Sequence, residues 1–147
     1  IIHSHKETIE KQIQTLDTLF DKPMFVNCTF TVIQPPRQNA GFCDGKSWTY
    51  HFNKWKKKLD EELKNHSFDT SLVSAGGFGM ITCNYLFTKH KLNTIYVGGG
   101  LQLFFGIKGE RWNNHPIISK FYNEHWTNVL PSDMPPQKQI CENGCYW

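Results

Sequence analysis

No stretch of this chain approaches the ~18 consecutive apolar residues of a membrane-spanning helix, so no such span is expected. The start, Ile1-Ile2-His3-Ser4, lacks the basic-then-apolar-then-small order of a secretory leader, and it lacks an initiator methionine. The missing methionine predicts a processed chain or the C-terminal portion of a longer one. An excess of one charge is lacking too: 16 basic against 13 acidic residues leave +3, which gives no global nucleic-acid footprint. One local run, Lys54-Trp55-Lys56-Lys57-Lys58, is answered at once by Asp60-Glu61-Glu62, the pattern of a self-compensating solvated helix face.

Several chemical signatures are missing. The five cysteines include no Cys-x-x-Cys pair, and no His-x-x-x-His accompanies them, so no metal ligands are assigned. Cys28 and Cys83 sit in apolar patterns and read as buried small hydrophobes, while Cys141 and Cys145 lie four apart near the end. Free thiols in a reducing, cytoplasm-like compartment are expected. Asn27-Cys-Thr29 and Asn65-His-Ser67 match the glycosylation pattern, but such short matches arise often by chance. There is no Walker sequence, no Gly-x-Ser-x-Gly around Ser74, and no carboxylate pair suited to glycoside hydrolysis. The seven histidines form no metal pair at helix spacing, and His51, His66, His115 and His125 read as surface or satisfied side chains.

What is present suits one core: 147 residues with 39% hydrophobic and 20% charged. Ser4-His-Lys-Glu7 is a capping-box pattern, and Ile9, Ile13, Leu16 and Phe20 follow at helical spacing, which predicts a helix over 5–20. Val26, Cys28, Phe30 and Val32 alternate with Asn27, Thr29 and Thr31, which predicts a strand over 25–33, ended by Gln34-Pro35-Pro36. Trp48, Phe52, Trp55, Leu59 and Leu63 share one face of a second helix over 47–65. A strand over 68–74, a glycine-rich turn, a helix over 80–90 and a strand over 93–97 follow. The alternation predicts an α/β fold, a three-layer Rossmann-like domain with a short parallel βαβαβ sheet flanked by helices. Residues 101–107 suggest one or two helical turns and 117–125 a last helix. The segment 130–147, with Pro131, Pro135 and Pro136, suggests an extended arm.

Ligands of open parallel sheets bind outside the carboxyl ends of the strands. Three ends are thereby nominated: Gln34-Pro35-Pro36, Ser74 to Gly79, and Gly98 to Gly100. Glycine there lets backbone N–H groups approach a ligand, and a turn opening a helix offers free N–H groups to phosphate. The match to a dinucleotide fingerprint is partial, because Thr82 stands where the last glycine belongs and Val97 ends the next strand without an acid. The cluster Lys108-Gly109-Glu110-Arg111-Trp112 adds two cations, one acid and an indole; Arg and Lys bind phosphate, and Glu110 orients Arg111 or acts as a base.

Ser74-Ala-Gly-Gly-Phe-Gly79, then Val97-Gly-Gly-Gly-Leu-Gln-Leu-Phe-Phe-Gly-Ile-Lys-Gly-Glu-Arg-Trp112, and the ending Glu142-Asn-Gly-Cys-Tyr-Trp147 resemble a group of glycosyltransferases of the GT-D type found with polysaccharide-assembly genes. The resemblance covers residues 25–147 and is most specific at 97–112. It implies a Rossmann-like fold and transfer of sugar from a nucleotide-sugar donor to a glycan acceptor. It implies that Gly76, Gly77 and Gly79 approach the donor diphosphate, that Gly98, Gly99, Gly100 and Gln102 line the same cleft beside Trp112, and that Lys108 and Arg111 neutralise the leaving phosphate, with Glu110 and Arg111 as the catalytic pair. GT-D enzymes also carry an Asp-x-Glu element that holds a divalent metal. Here Asp60-Glu-Glu62 fits its letters but falls inside the second predicted helix, so the metal ligands lie upstream of Ile1 or catalysis is lost. The competing expectations are a non-catalytic Rossmann-like interaction domain in a larger assembly, with an upstream domain or oligomeric partner, and, more weakly, a methyltransferase.

Overall fold

The computed structural model describes residues 1–147. The chain is mixed α/β. Its elements run β1 (Ile2–His3), α1 (Lys6–Gln12), α2 (Trp48–Asn65), β2 (Thr70–Ser74), α3 (Gly79–His90), β3 (Asn93–Tyr96) and α4 (Glu110–Asn113), with 3₁₀ turns between and after them. The three strands form one parallel sheet in the order β1-β2-β3, with Ile2 opposite Val73 and Leu72 opposite Ile95. On the free side of β1, Ile33 pairs in parallel with Ile2, its N–H donating to the Ile1 carbonyl at 2.8 Å.

The β2–α3–β3 unit matches the sequence pattern to within two residues at each end. So does α2, where Ser47 caps the helix by accepting from Tyr50 N–H at 3.1 Å and Trp55 and Leu59 point into the core. The first half of the chain differs. The strand expected at 25–33 contributes only its last residue, Ile33, to the sheet. Asn27 has φ +54, which interrupts an extended run, and Phe25 and Phe30 leave the ladder to pack their rings on Phe105 at 5.5 and 5.9 Å. The place beside β2 is taken instead by β1, which begins at the second residue of the chain, between β2 and Ile33. Cys28, expected in the core, is exposed, Cys83 is half-buried, and all five cysteines are free thiols.

Successive strand residues point to opposite faces, and both faces are covered. Val73, Ile2 and Ile33 pack with Trp55, Leu59, Leu86 and Leu92 on the side of α2 and α3. Leu72 and Val32 pack with Ile9, Leu101, Phe105, Ile107 and Val129 on the other. Burial on both faces is what an all-parallel sheet requires. The hydroxyl of Thr82 accepts the indole N–H of Trp55 at 2.9 Å inside the first core, which binds α3 to α2. A second link is polar: the Asp60 carboxylate accepts from Lys89, Tyr85 and His90 at 2.7 to 2.8 Å.

Beyond β3 the chain turns into a 3₁₀ helix over Gly98–Phe105. The helix expected over 117–125 is a single 3₁₀ turn, Ile118–Phe121. The arm expected from residue 130 is a series of 3₁₀ turns at Pro131–Asp133, Lys138–Ile140 and Glu142–Gly144, packed back onto the domain. No helix is long and apolar enough to cross a membrane.

Candidate functional site

The parallel strands deliver their carboxyl ends to one edge of the sheet, and a cleft of about 260 Å³ opens there. Ser4 follows β1, Pro35 to Asn39 follow Ile33, and Ala75, Gly77 and Phe78 follow β2. Two of the three strand ends nominated by the sequence thus border the cleft. The third, through Gly99, borders an adjoining cavity of about 100 Å³ that also contains His3, His5, Ser74, Gln102, Tyr146 and Trp147. Ser4, Asn39 and Trp147 line both spaces, so the two are neighbours across a shared wall.

Arg37 is the cation of the cleft. Its guanidinium lies 4.1 Å over the Phe42 ring, forms no ion pair, and has one nitrogen, Nη1, that is buried with no hydrogen-bond partner. An unpaired, half-buried cation in a cleft is a ready site for an anion. Trp48, 45% exposed, also lines the cleft and stacks on the buried Phe78 with centroids 5.1 Å apart and planes within 8°. The helical turn that opens at Gly76 has no side-chain cap, and Gly76 itself takes φ +49, a conformation that favours glycine. Asp133 also reaches the cleft, but its carboxylate is occupied by Thr8 N–H and Thr8 Oγ1, each at 2.7 Å.

Several residues that line the smaller cavity carry polar atoms sealed in the packing without partners. His3 Nε2, His5 Nδ1, Gln102 Oε1 and Trp147 Nε1 are all buried without hydrogen bonds. Burial holds His3 well below the ordinary histidine range, with the neighbouring His5 acting in the same direction. Burial and then the Arg37 charge lower His5 to about 3. Both rings are therefore neutral near pH 7. His3 Nδ1 accepts the His5 backbone N–H at 2.9 Å, which leaves the proton of the neutral ring on Nε2.

The sequence-nominated residues divide into groups. Gly77 borders the cleft, and Gly99 and Gln102 border the cavity. Neither Gly77 nor Gly100 has anything near where a Cβ would stand. Gly79 has a packing reason instead: a Cβ there would run into the Tyr96 ring. A Cβ on Gly99 would likewise meet the Tyr146 ring, and Gly98 turns the chain at φ +68. Gln102 is a tie, its Nε2 donating to the carbonyls of Ile107, Lys108 and Tyr146 at 3.0 to 3.4 Å.

Glu110, Lys108, Arg111 and Trp112 line neither space. Arg111 pairs with Glu142 and lies 4.6 Å over the Tyr146 ring, while its backbone N–H donates to Cys145 O at 3.0 Å. It therefore fastens the C-terminal segment that carries Tyr146 and Trp147 to the cavity. Lys108 sits 5.4 Å over Tyr122, Trp112 packs by His115, and Glu110 is exposed at the start of α4. No group of three His, Cys, Asp or Glu side chains converges to hold a metal.

Sequence reasoning passed over Arg37, His3, His5, Asp133 and Trp147. Arg37 had a usable signal, as a cation immediately past a nominated strand end. His3 and His5 stand two apart, which on a strand would give one face. Asp133 and Trp147 reach the site only through tertiary packing. No family model, curated protein or solved structure matches this chain.

Proposed function

We propose that this chain binds a nucleotide-sugar donor in the cleft at the carboxyl ends of β1 and β2, and transfers its sugar to a glycan acceptor in polysaccharide assembly. In this reading the covered parallel sheet is a three-layer, Rossmann-like frame, and the free thiols belong in a reducing compartment. The observation that carries the reading is the Arg37 guanidinium, unpaired and half-buried in the cleft that Ala75 and Gly77 of the uncapped turn also line. A diphosphate there gains a bidentate cation and backbone N–H groups, and the departing nucleoside diphosphate is stabilised by the same charge. The exposed Trp48 indole, backed by Phe78, offers an apolar surface for the base.

The resemblance at residues 97–112 supplies the transferase part. The role it implies for Lys108 and Arg111 shifts: Arg37 takes the diphosphate, and Arg111 positions the segment that closes the adjoining cavity. The metal implied by the resemblance finds no fit among these residues. No three ligands converge, and the one carboxylate in the cleft, Asp133, is already bound by Thr8. No step is routed through it.

A thermal-shift screen with UDP-, GDP-, dTDP- and CMP-linked sugars, with and without manganese, tests the reading. A ligand at a hundredfold excess over Kd raises stability by about 2.7 kcal/mol. A shift with one nucleotide that Arg37→Gln removes is the expected result, and no shift with any nucleotide overturns it.

One observation favours a second reading, a non-catalytic interaction domain. β3 is an edge strand, and Ile95 and Tyr96 on it are 52% and 43% exposed, with Met80 and Phe87 of α3 at 66% and 59%. Unpaired apolar edges recruit a further strand. Pairing of two copies along β3 would appear as a dimer in sedimentation that Ile95→Lys dissociates.

A further inference from the structure

We propose that the acceptor is an acidic glycan, held by Lys54 and Lys58 in a groove beside the cleft, an inference that rests on the reading of the cleft as the donor site. The groove, of about 240 Å³, runs between α2 and the loop after Ile33, and its walls include Gln34, Pro35, Pro36, His51, Lys54 and Lys58. Pro35, Pro36 and Gln38 border both the groove and the cleft. A chain lying in the groove and a donor in the cleft are therefore neighbours across those residues.

The positive charge of this groove is uncompensated. The lysine run at 54–58 is followed in sequence by Asp60-Glu61-Glu62, the pattern of a self-compensating helix face, yet those pairs do not form. Asp60 turns to Lys89 and His90, and neither Glu61 nor Glu62 pairs with a lysine. Lys54 forms no ion pair, and Lys58 only donates to the Gln34 carbonyl at 3.3 Å across the groove. An ammonium carries three donors, so each lysine keeps at least two for a ligand. Both lysines are exposed, so a ligand reaches them. None of the lining residues is an acid; His51 is tied to one, Asp44, at 2.8 Å.

Spacing and surface select the occupant. Lys54 and Lys58 stand one turn apart, about 6 Å along the helix axis. That suits charges repeated along a chain better than the two oxygens of one carboxylate. Lysine is also a point charge, without the planar fork that favours a single bidentate anion. A nucleic-acid strand would bring repeated charges too, but its bases want an exposed aromatic platform. Trp55, the indole that lines the groove, is only 2% exposed. A glycan with an acidic group on each sugar supplies the charges without bases to stack.

Calorimetric titration of the full chain in low-salt buffer, where exposed charges are least screened, takes hexagalacturonate as the acidic probe and maltohexaose as a neutral one of the same length. The groove variant combines Lys54→Gln with Lys58→Gln. A control of equal charge combines Lys57→Gln with Lys64→Gln, both exposed on α2 and outside the groove. Hexagalacturonate should bind at least tenfold more tightly than maltohexaose. The groove variant should weaken it at least fivefold, and the control less than twofold. Absence of hexagalacturonate binding, equal binding of the two sugars, or equal losses in both variants overturns the inference, the last by reducing the effect to net charge. Hexaglutamate and a thymidylate hexamer are titrated beside them. Tighter binding of either, lost in the groove variant, overturns the inference by giving the groove to an acidic peptide or a nucleic-acid strand. Failure of the donor reading looks different: nucleotide sugars then give no thermal shift while hexagalacturonate still binds, and the groove's role as acceptor site falls with it.

Discussion

Asp133 closes the first turn of α1 from 125 residues away in sequence: one carboxylate oxygen accepts both the backbone N–H and the hydroxyl of Thr8 at 2.7 Å, and the other accepts Glu7 N–H at 3.4 Å. The capping box expected from Ser4 and Glu7 is not formed, since the residue at the cap position is His5 and no local side chain bonds the turn. A buried hydrogen bond to a charged group contributes about 1.5–3 kcal/mol. Asp133→Ala should therefore cost roughly 2–3 kcal/mol in a denaturant melt, while Ser4→Ala should stay within about 0.5 kcal/mol. Equal losses would restore the local cap.

The same pair shows where the sequence stops being readable. α2 and the β2–α3–β3 unit declare themselves through spacing, because their apolar positions, the Ser47 cap and the turn glycines all act locally. The strand at 25–33 had a convincing alternation, yet Phe25 and Phe30 found better burial against Phe105 than in a ladder. β1 is two residues long and exists only because Val73 and Ile33 flank Ile2. The edge of the sheet on which ligands sit was legible from the parallel alternation. Arg37 was legible in the same way, as the cation just past Gln34-Pro35-Pro36, whereas Asp133 and Trp147 were not, because nothing within a few residues of each records which loop it will face.

Two arginines should separate binding from architecture. The Arg37 guanidinium makes no hydrogen bond or ion pair and packs on the Phe42 ring, so Arg37→Gln should cost about 0.5–1 kcal/mol of stability while weakening nucleotide-sugar binding by about 10- to 100-fold, the worth of a charge-assisted contact. Arg111 holds Glu142 and Tyr146. Arg111→Ala should loosen residues 142–147, seen as faster amide exchange there, and lower affinity only through that segment. If Arg111→Ala abolishes binding with the segment still protected, the diphosphate belongs at Arg111 and the cleft assignment is wrong.

The glycine-rich turn divides into one glycine for packing and one for access. A Cβ at Gly79 runs into the Tyr96 ring, whereas one at Gly77 meets nothing within 4 Å. Gly79→Ala should destabilise by about 1–3 kcal/mol, as overpacking does, and the double variant Gly79→Ala with Tyr96→Ala should recover part of that loss. Gly77→Ala should be nearly neutral for folding and should weaken ligand binding, because the methyl group projects from a residue that borders the cleft. A Gly79→Ala loss unchanged in the double variant would mean that the ring is not the obstacle.

The buried histidines give stability a dependence on pH. In the unfolded chain a histidine titrates near 6.5; in the fold burial holds His3 well below that and burial with Arg37 lowers His5 to about 3. Unfolding therefore takes up protons at acid pH, and stability must fall as pH falls. The contribution is complete above about pH 6.5 and is lost progressively toward pH 3, at about 1.4 kcal/mol per pH unit for each proton taken up. Asp60 acts in a lower window: burial alone would raise its carboxyl, but hydrogen bonds from Lys89, Tyr85 and His90 outweigh this and hold it at about 2. Its share is present above the ordinary value of 3.8 and disappears only as pH drops from there toward 2. Melting curves should thus decline between pH 6.5 and 4 before Asp60 begins to matter. His5→Gln should flatten that upper decline while Asp60→Asn leaves it in place, and an unchanged slope in His5→Gln would mean that the ring is solvated in the native protein and that the polar cavity is open to water.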